Sequence, residues 1–264
     1  MNRSIYLRLL ILTLCFLFLS SCKYFKKPEE AMPQFEPETA FNEANDLIKT
    51  GYFEDARTKL EEIKAKDASQ KYATLAKIRI ADTYFDDEMY EEAAVEYESF
   101  LSLHTFHKYA PYAQYRLAMC YFKKIRTVDI SYSTTKKALK EFRKLQRNYP
   151  RNPYMDVTEN RINTCIRILA EYELYVGKFY FKKGSYEAAA GRFRNLLDTY
   201  PDSKGESEAI YYLGLSYNNI GEREKAISTF KSLIEEYPTI ELAQKAREQL
   251  TLLTGQMPVL IIEK

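Results

Sequence analysis

A set of small, aromatic and proline residues occurs twice in this 264-residue chain, and this duplication constrains the fold more than any other feature. The second set follows the first by 37 residues, as the glycine positions (177 and 214) show. The two sets are Val176, Gly177, Tyr180, Ala189, Phe193 and Pro201, then Leu213, Gly214, Tyr217, Ala226, Phe230 and Pro238. A period of this length is typical of solenoids, in which each repeat buries its apolar face against its neighbours.

Each residue type in the set has a role in a hairpin of two antiparallel helices. Facing glycine and alanine residues allow the helices to approach closely, and aromatic rings fill the gaps. Gly184 and Gly221 mark the turn, where a positive φ is favoured, and proline ends the second helix. This is the tetratricopeptide (TPR) pattern. The sequence therefore predicts an all-α fold, a right-handed superhelical solenoid of about five TPR hairpins with a C-terminal capping helix.

The spacing of the core alanines changes along the chain. Ala93 follows Ala56 by 37 residues, Ala138 follows Ala93 by 45, and Ala189 follows Ala138 by 51. The 45-residue spacing exceeds the 37-residue period, which predicts an insertion in the turn around residues 125–133. The 51-residue spacing predicts one long helix that enters the fourth repeat, because the extra residues keep a helical pattern.

The end of the repeat array is predicted from an amphipathic segment. In residues 240–253 the apolar side chains recur on one helical face, as expected for a cap that covers the last repeat. The solenoid is thus predicted to span residues 38–253. The apolar tail at residues 254–264 is expected to pack on the cap, or to add as a strand to a partner's sheet.

The N-terminal residues predict a lipoprotein signal. Two arginines precede an apolar run at residues 9–19, which is shorter than the roughly 20 residues of a membrane-spanning helix. The run ends in Leu19, Ser20, Ser21 and Cys22, which looks like a bacterial lipobox. We expect cleavage after residue 21, acylation of Cys22 and a proline-containing linker at residues 22–37. An ordinary secretory signal and an uncleaved anchor are the alternatives.

Composition and motifs argue against several function classes. The formal charge is only +2, which does not favour a nucleic-acid-binding protein. No phosphate-binding loop, nucleophile elbow or HExxH motif occurs, so no catalytic residue, metal or cofactor is predicted. His104 and His107 lack a nearby carboxylate or cysteine cluster. Cys120 and Cys165 are expected as buried free thiols, and a disulfide between them is the alternative.

The first helices of the first three repeats carry many apolar residues on the face that lines the concave side of a TPR array. Such rings suit an extended peptide with aromatic side chains. The alternative is that the superhelix buries them as core. The candidate groove residues are Phe41, Ile48, Ile78, Phe85, Tyr112, Tyr115 and Phe122.

A line of basic residues provides a second candidate surface. Like charges at spacings of three and four residues repel each other on one helix face, so an acidic partner or an anionic lipid would offset this repulsion. A solvated face is the alternative. The candidate docking face consists of Lys137, Lys140, Lys144 and Arg147, extended by Lys136, Arg143 and Arg151.

The lipobox, the five repeats, the enlarged third turn and the long helix together resemble the BamD family of outer-membrane β-barrel assembly lipoproteins. The most specific part is residues 161–201. It contains the run RILAEYELYVGKFYFKKGSYEAAAGRF, and the matching residues are Arg161, Cys165, Leu169, Ala170, Tyr172, Glu173 and Tyr180. A TPR pattern alone would not contain this set.

The resemblance implies a non-enzymatic scaffold on the periplasmic face of the outer membrane, held in the lipid through Cys22. Its implied partners are the POTRA part of the barrel protein BamA, through the C-terminal repeats, and unfolded outer-membrane β-barrel proteins, through the N-terminal repeats. Lys23 agrees with this location, because Asp after the cysteine is the familiar inner-membrane retention signal. Another periplasmic TPR adaptor, for peptidoglycan synthesis or envelope constriction, is the main alternative.

Overall fold

The computed structural model describes residues 35–255, and all regular secondary structure in that range is α-helical. The predicted signal peptide, Cys22 and the last residues of the tail lie outside the described residues. The helices are α1 Pro37–Lys49, α2 Phe53–Lys66, α3 Lys71–Asp86, α4 Tyr90–Leu103, α5 Ala110–Lys123, α6 Tyr132–Asn148, α7 Met155–Lys182, α8 Tyr186–Thr199, α9 Glu206–Asn219, α10 Arg223–Glu236 and α11 Glu241–Thr254.

Each helix packs mainly against the helix before it and the helix after it, so the array grows in one direction. The pairs α1/α2, α3/α4, α5/α6, α7/α8 and α9/α10 form five hairpins. First helices of neighbouring hairpins also touch, as α1 touches α3 and α7 touches α9. The predicted helical TPR solenoid is therefore confirmed. None of the helices between residues 35 and 255 is long and apolar enough to cross a membrane.

Four of the hairpins close with the same turn. A residue with positive φ follows the first helix: Gly51 at 83°, Gly184 at 75° and Gly221 at 84°, with Glu88 at 60° in the second repeat. The next amide then donates to a carbonyl five residues earlier, as Ser185 N does to Tyr180 O at 3.0 Å. This bond belongs to the Schellman motif, which satisfies carbonyls left free at a helix end and explains glycine at three of the four positions.

The third hairpin departs from this turn, as its alanine spacing predicts. Residues 124–131 connect α5 to α6 and form the enlarged turn. The predicted long helix is also present, because α7 runs for 28 residues without interruption. Its first half packs behind the third repeat and its second half is the first helix of the fourth.

The last helix covers the end of the array. Ala246 and Leu250 of α11 are buried against Phe230 and Leu233 of α10, and Leu253 packs against the same cluster. The predicted capping helix is thus confirmed. It removes the apolar side of the fifth repeat from water, which every solenoid terminus requires.

In the fourth and fifth hairpins the glycine of the first helix faces a phenylalanine of the second, and not the alanine that the sequence pattern placed opposite it. An added Cβ at Gly177 would lie 2.5 Å from Phe193 Cε1, and one at Gly214 would lie 2.6 Å from Phe230 Cε1. Both phenylalanines are fully buried. Neither ring can move away without opening the core, so both positions require a residue without a side chain.

We predict that Gly177→Ala lowers the free energy of unfolding by about 1–3 kcal/mol, because the new methyl group overlaps the Phe193 ring. The matched control is Gly191→Ala in α8, where an added Cβ meets nothing within 4 Å. That change should raise stability by about 0.5–1 kcal/mol through higher helix propensity. Urea unfolding followed by circular dichroism measures both. Equal stabilities for the two variants would contradict this account of helix packing.

Candidate binding surfaces

The first-helix side of the first three repeats contains a groove of about 370 Å³. It crosses the first helices α1, α3 and α5 and reaches the residue before α7. Most of its walls are apolar rings and aliphatic side chains, with a few polar groups among them. We name it the N-terminal groove, and it is lined by Phe41, Asn45, Leu75, Ile78, Arg79, Asp82, Tyr109, Tyr112 and Tyr154.

A buried carboxylate organises the floor of this groove. Asp82 is only 3% exposed. Its Oδ1 accepts hydrogen bonds from the hydroxyls of Tyr97 (2.6 Å) and Tyr112 (2.7 Å), and its Oδ2 accepts one from Arg79 Nη1 (2.9 Å). Arg116 Nε in turn donates to Tyr97 Oη at 3.0 Å. The network joins α3, α4 and α5, so it fixes the groove walls relative to each other.

The two tyrosines of this network remain neutral donors. Burial raises the pKa of Tyr97 well above its ordinary value, and the negative charge of Asp82 raises it further. The pKa of Tyr112 is raised by the same two causes in the same order. Both hydroxyls therefore keep their protons at physiological pH, and the hydrogen bonds to Asp82 persist.

The structure divides the seven predicted groove residues into two groups. Phe41, Ile78 and Tyr112 line the N-terminal groove. The other four lie further along the same helices and pack between them. Ile48 joins the cluster of the first hairpin, and Phe85 lies under the Arg116 guanidinium at 3.8 Å.

Tyr115 and Phe122 of α5 are also held by neighbouring side chains. The Tyr115 ring stacks on Tyr154 with centroids 4.9 Å apart and an interplanar angle of 10°. Phe122 meets Phe142 edge-on at 6.0 Å and lies under Arg161 at 4.8 Å. Both rings therefore pack against neighbouring side chains and do not line the groove.

Sequence reasoning missed several lining residues. Arg79 and Asp82 are polar residues within a helical pattern, and a projection of the apolar residues does not select them. Tyr109 and Tyr154 lie in turns just before helices, outside the repeat register used to project the groove. Tyr109 and Tyr154 each come directly before the first residue of a first helix, and this position is the signal that could have identified them.

A second cleft, of about 440 Å³, lies on the opposite side of the array between the second helices α6 and α8. Its floor includes Leu139, Leu169 and Tyr200, all of which are largely buried. No carboxylate lines it. We name it the basic cleft, since its cationic lining consists of Lys136, Lys140, Arg143, Lys144 and Arg147.

Three of the four predicted docking-face residues thus face the basic cleft. The fourth, Lys137, points elsewhere and lies 5.6 Å above the Tyr121 ring. Within the cleft Lys144 pairs with the largely buried Glu141 at 2.9 Å. Lys140 and Arg143 make no ion pair with any residue of the range 35–255, so their charges are available to a ligand.

The two histidines pack against an aromatic ring, and two of the cysteines are buried. His104 and His107 flank the Phe100 ring at 4.9 and 5.7 Å. Burial, followed by the Lys77 and His107 charges, lowers the pKa of His104, so the ring is neutral at pH 7. Cys120 and Cys165 are buried free thiols, and burial raises the pKa of each to about 12. Across residues 35–255 no group of three or more potential ligands could hold a metal ion.

We predict that Asp82→Asn lowers the free energy of unfolding by about 1–3 kcal/mol, because the amide presents a donor to Arg79 and removes a buried counter-charge. The matched control is Asp86→Asn, which removes an exposed partner of Arg116. We expect that change to stay below about 1 kcal/mol. Urea midpoints compare the two, and a larger loss for Asp86→Asn would contradict the assignment.

Solved structures with a similar chain path are TPR proteins. A TPR repeat protein from Bacteroides fragilis superimposes with a TM-score of 0.47 and 14% identity, covering 83% of this chain and 99% of that one. The TPR2AB-domain–pHSP90 complex of yeast Sti1 gives a TM-score of 0.45 and 14% identity, covering 82% and 83%.

Several proteins of similar sequence carry the name outer membrane protein assembly factor BamD. The Vibrio cholerae protein is 24% identical over 191 residues, which are 69% of this chain and 79% of the relative. The Caulobacter vibrioides protein is 26% identical over 186 residues, which are 70% of this chain and 61% of the relative. The Pasteurella multocida protein is 35% identical over 78 residues, or 30% of each chain.

The family described as "YfiO: Outer membrane lipoprotein" matches residues 33–226. The match begins two residues before the described part of the chain and continues into α10, so it includes both the N-terminal groove and the basic cleft. Together with the assembly factors of similar sequence, this match shows that the chain belongs to the BamD (YfiO) family of outer membrane lipoproteins.

Proposed function

We propose that this protein is a non-enzymatic scaffold of the outer-membrane β-barrel assembly machinery. It is anchored through an acylated Cys22 on the periplasmic face of the outer membrane. There it binds BamA and unfolded outer-membrane proteins before their folding and insertion. Membership of the family over residues 33–226 is the observation that carries the proposal. The proteins of similar sequence are named as outer membrane protein assembly factors, which supports the assembly role.

The N-terminal groove suits the last strand of an unfolded barrel protein. Such a strand typically ends in an aromatic residue followed by the terminal carboxylate. Phe41, Tyr109 and Tyr112 offer rings for aromatic contact, which contributes about 0.5–1.5 kcal/mol per pair beyond area burial. Arg79 lies beside them; its Nε and Nη1 donate to Asn45 and Asp82, so its Nη2 is the donor offered to the carboxylate. The rigid Asp82 network holds these groups in place before the peptide binds, which reduces the entropy lost on binding.

We predict that Phe41→Ala combined with Tyr109→Ala weakens binding of a peptide copying such a strand by about tenfold, because two ring contacts are lost. Fluorescence anisotropy of the labelled peptide measures the affinity. Tyr52→Ala is the matched control, since Tyr52 is 61% exposed and lies outside the groove. Unchanged affinity in the double variant, with the fold intact by circular dichroism, would rule out this groove as the substrate site.

The basic cleft suits an acidic surface of a folded partner, and we assign it to the POTRA part of BamA. Five cations, one of which (Lys144) pairs with Glu141, create a positive potential that attracts a complementary patch and accelerates association. The apolar floor allows one or two aliphatic side chains of the partner to be buried between the charges. The N-terminal groove and the basic cleft are on opposite sides of the array, so substrate and BamA can bind together.

We predict that Lys140→Glu weakens association with BamA by about tenfold, because the reversal places a carboxylate among the four remaining cations of the cleft. The matched control is Lys137→Glu, which makes the same net change on the same helix outside the cleft. Recovery of BamA from detergent-solubilised membranes and the association rate at low salt measure the effect. An equal loss in both variants would show that overall charge, and not the cleft, is responsible.

A different periplasmic TPR adaptor, which coordinates peptidoglycan synthesis or envelope constriction, is the second candidate function. Only the TPR fold favours this function, and no feature of the N-terminal groove or the basic cleft is specific to it. The same recovery experiment separates the two functions. Peptidoglycan enzymes in place of BamA would support the adaptor and reject the assembly scaffold.

A further inference from the structure

One edge of the solenoid holds the point where the N-terminal linker joins the fold. Because the helices alternate in direction, this edge collects Phe35 and the turns at residues 67–70, 104–109 and 149–154. We name it the tether edge. Neighbouring turns on it touch: Lys66 Nζ lies 5.3 Å above the Phe35 ring, and Tyr149 Oη donates to Thr105 O at 3.0 Å.

The tether edge carries more cations than acids. Its three turns and the residues that flank them contain four exposed cations, Lys66, Lys71, Lys108 and Arg151, of which Lys66 pairs with Glu62 at 2.6 Å. The acids are the exposed Glu36, beside Phe35, and Asp67, which is 3% exposed and accepts hydrogen bonds from the Tyr72 and Ala73 amides at 2.7 and 2.9 Å.

The opposite edge of the same three repeats is balanced. Its turns at residues 50–52, 87–89 and 124–131, with their flanking residues, carry four cations and four acids. The cations are Lys49, Lys123, Lys124 and Arg126, and the acids are Asp86, Asp87, Glu88 and Asp129. The positive character therefore belongs to the tether edge and not to the turns in general.

Phe106 is the most exposed large apolar side chain of residues 35–255, at 100% of its full accessible area. It lies in the turn at residues 104–109, with Leu103 65% and Tyr109 38% exposed beside it. Lys108 follows it, with its ammonium 5.1 Å above the Tyr109 ring. An apolar ring among tyrosines and lysines is the composition found where proteins meet the bilayer interface, since the ring enters the acyl boundary while cations contact anionic headgroups.

We propose that the tether edge rests on an anionic lipid bilayer, with the Phe106 side chain inserted at the headgroup–acyl boundary. This inference rests on the proposed lipid anchor at Cys22. From Cys22 to Phe35 the chain has 13 residue steps, which extend to at most about 45 Å. Three helix spacings of about 10 Å separate α1 from α4, so the anchor allows Phe106 to reach the surface.

The contact between the tether edge and the bilayer orients the protein but does not by itself attach it to the membrane. A single phenylalanine and a few cations bind a bilayer weakly, whereas the acyl chains hold the protein at a high effective concentration near the surface. Under that condition a weak contact is enough to keep the tether edge towards the lipid. The opposite edge then faces the periplasm.

The test uses the absence of tryptophan from the whole chain. Phe106→Trp and Ile130→Trp each introduce a single fluorophore, at exposed apolar positions on the tether edge and the opposite edge respectively. Each acylated full-length variant is reconstituted into vesicles of phosphatidylethanolamine and phosphatidylglycerol, with and without bromine on the acyl chains. We expect the Phe106→Trp variant to shift to the blue and lose about half or more of its emission to bromine, since interfacial side chains reach about 5–10 Å into the boundary.

The Ile130→Trp variant should show neither change. Quenching of that variant, or of neither, would overturn the proposal. A blue shift of the Phe106→Trp variant only after purified assembly partners are added would also overturn it, because the occupant would then be a protein.

Flotation of the unsubstituted chain with vesicles separates this inference from the proposed anchor. A chain that does not float refutes acylation at Cys22. In that case an N-terminal histidine tag on a nickel-chelating lipid replaces the acyl chains, and the same two tryptophan variants still decide which edge faces the bilayer.

Discussion

The contact between a glycine in a first helix and a phenylalanine in the paired second helix sets the geometry on which the C-terminal part of the solenoid depends. At Gly177 and Gly214 the backbone comes so near to the opposing ring that no Cβ fits. Because both hairpins share this contact, they share one crossing geometry, and stacking them side by side brings corresponding first-helix faces into register. The surfaces on either side of the array follow from that register.

The earlier repeats keep the helical hairpin, but the core-alanine spacing on either side of the third departs from 37 residues, and these departures create the two candidate surfaces. The enlarged turn at residues 124–131 and the 28-residue α7 separate the third hairpin from the fourth. The second helices α6 and α8 consequently leave a cleft between them, whose floor is supplied by Leu169 of α7. The same long helix begins beside Tyr154, which closes the N-terminal groove and stacks on Tyr115. One unusually long helix therefore contributes to both surfaces.

The fold could be predicted from the sequence because its determinants are local: glycine at the turns, alanine at close contacts and aromatic rings at fixed spacing. The groove could be predicted only in part. Register alone assigned Phe41 and Ile48, two turns apart on α1, to one surface. Both pack partly against the same apolar cluster, and of the two only Phe41 also lines the groove. The role of Asp82 depends on hydroxyls from two other helices, and no spacing within one segment reveals such a network.

The position of the groove along its helices links it to the tether edge. Phe41 and Tyr112 lie near the starts of α1 and α5, and Tyr109 and Tyr154 lie in the turns that precede α5 and α7, so one end of the groove is close to that edge. Tyr109 belongs to both, because it lines the groove and lies three residues from Phe106. On the proposals above, a strand held in the groove is kept beside the bilayer that it must enter, while the basic cleft remains open to BamA. Substrate, membrane and partner would then meet without any moving part.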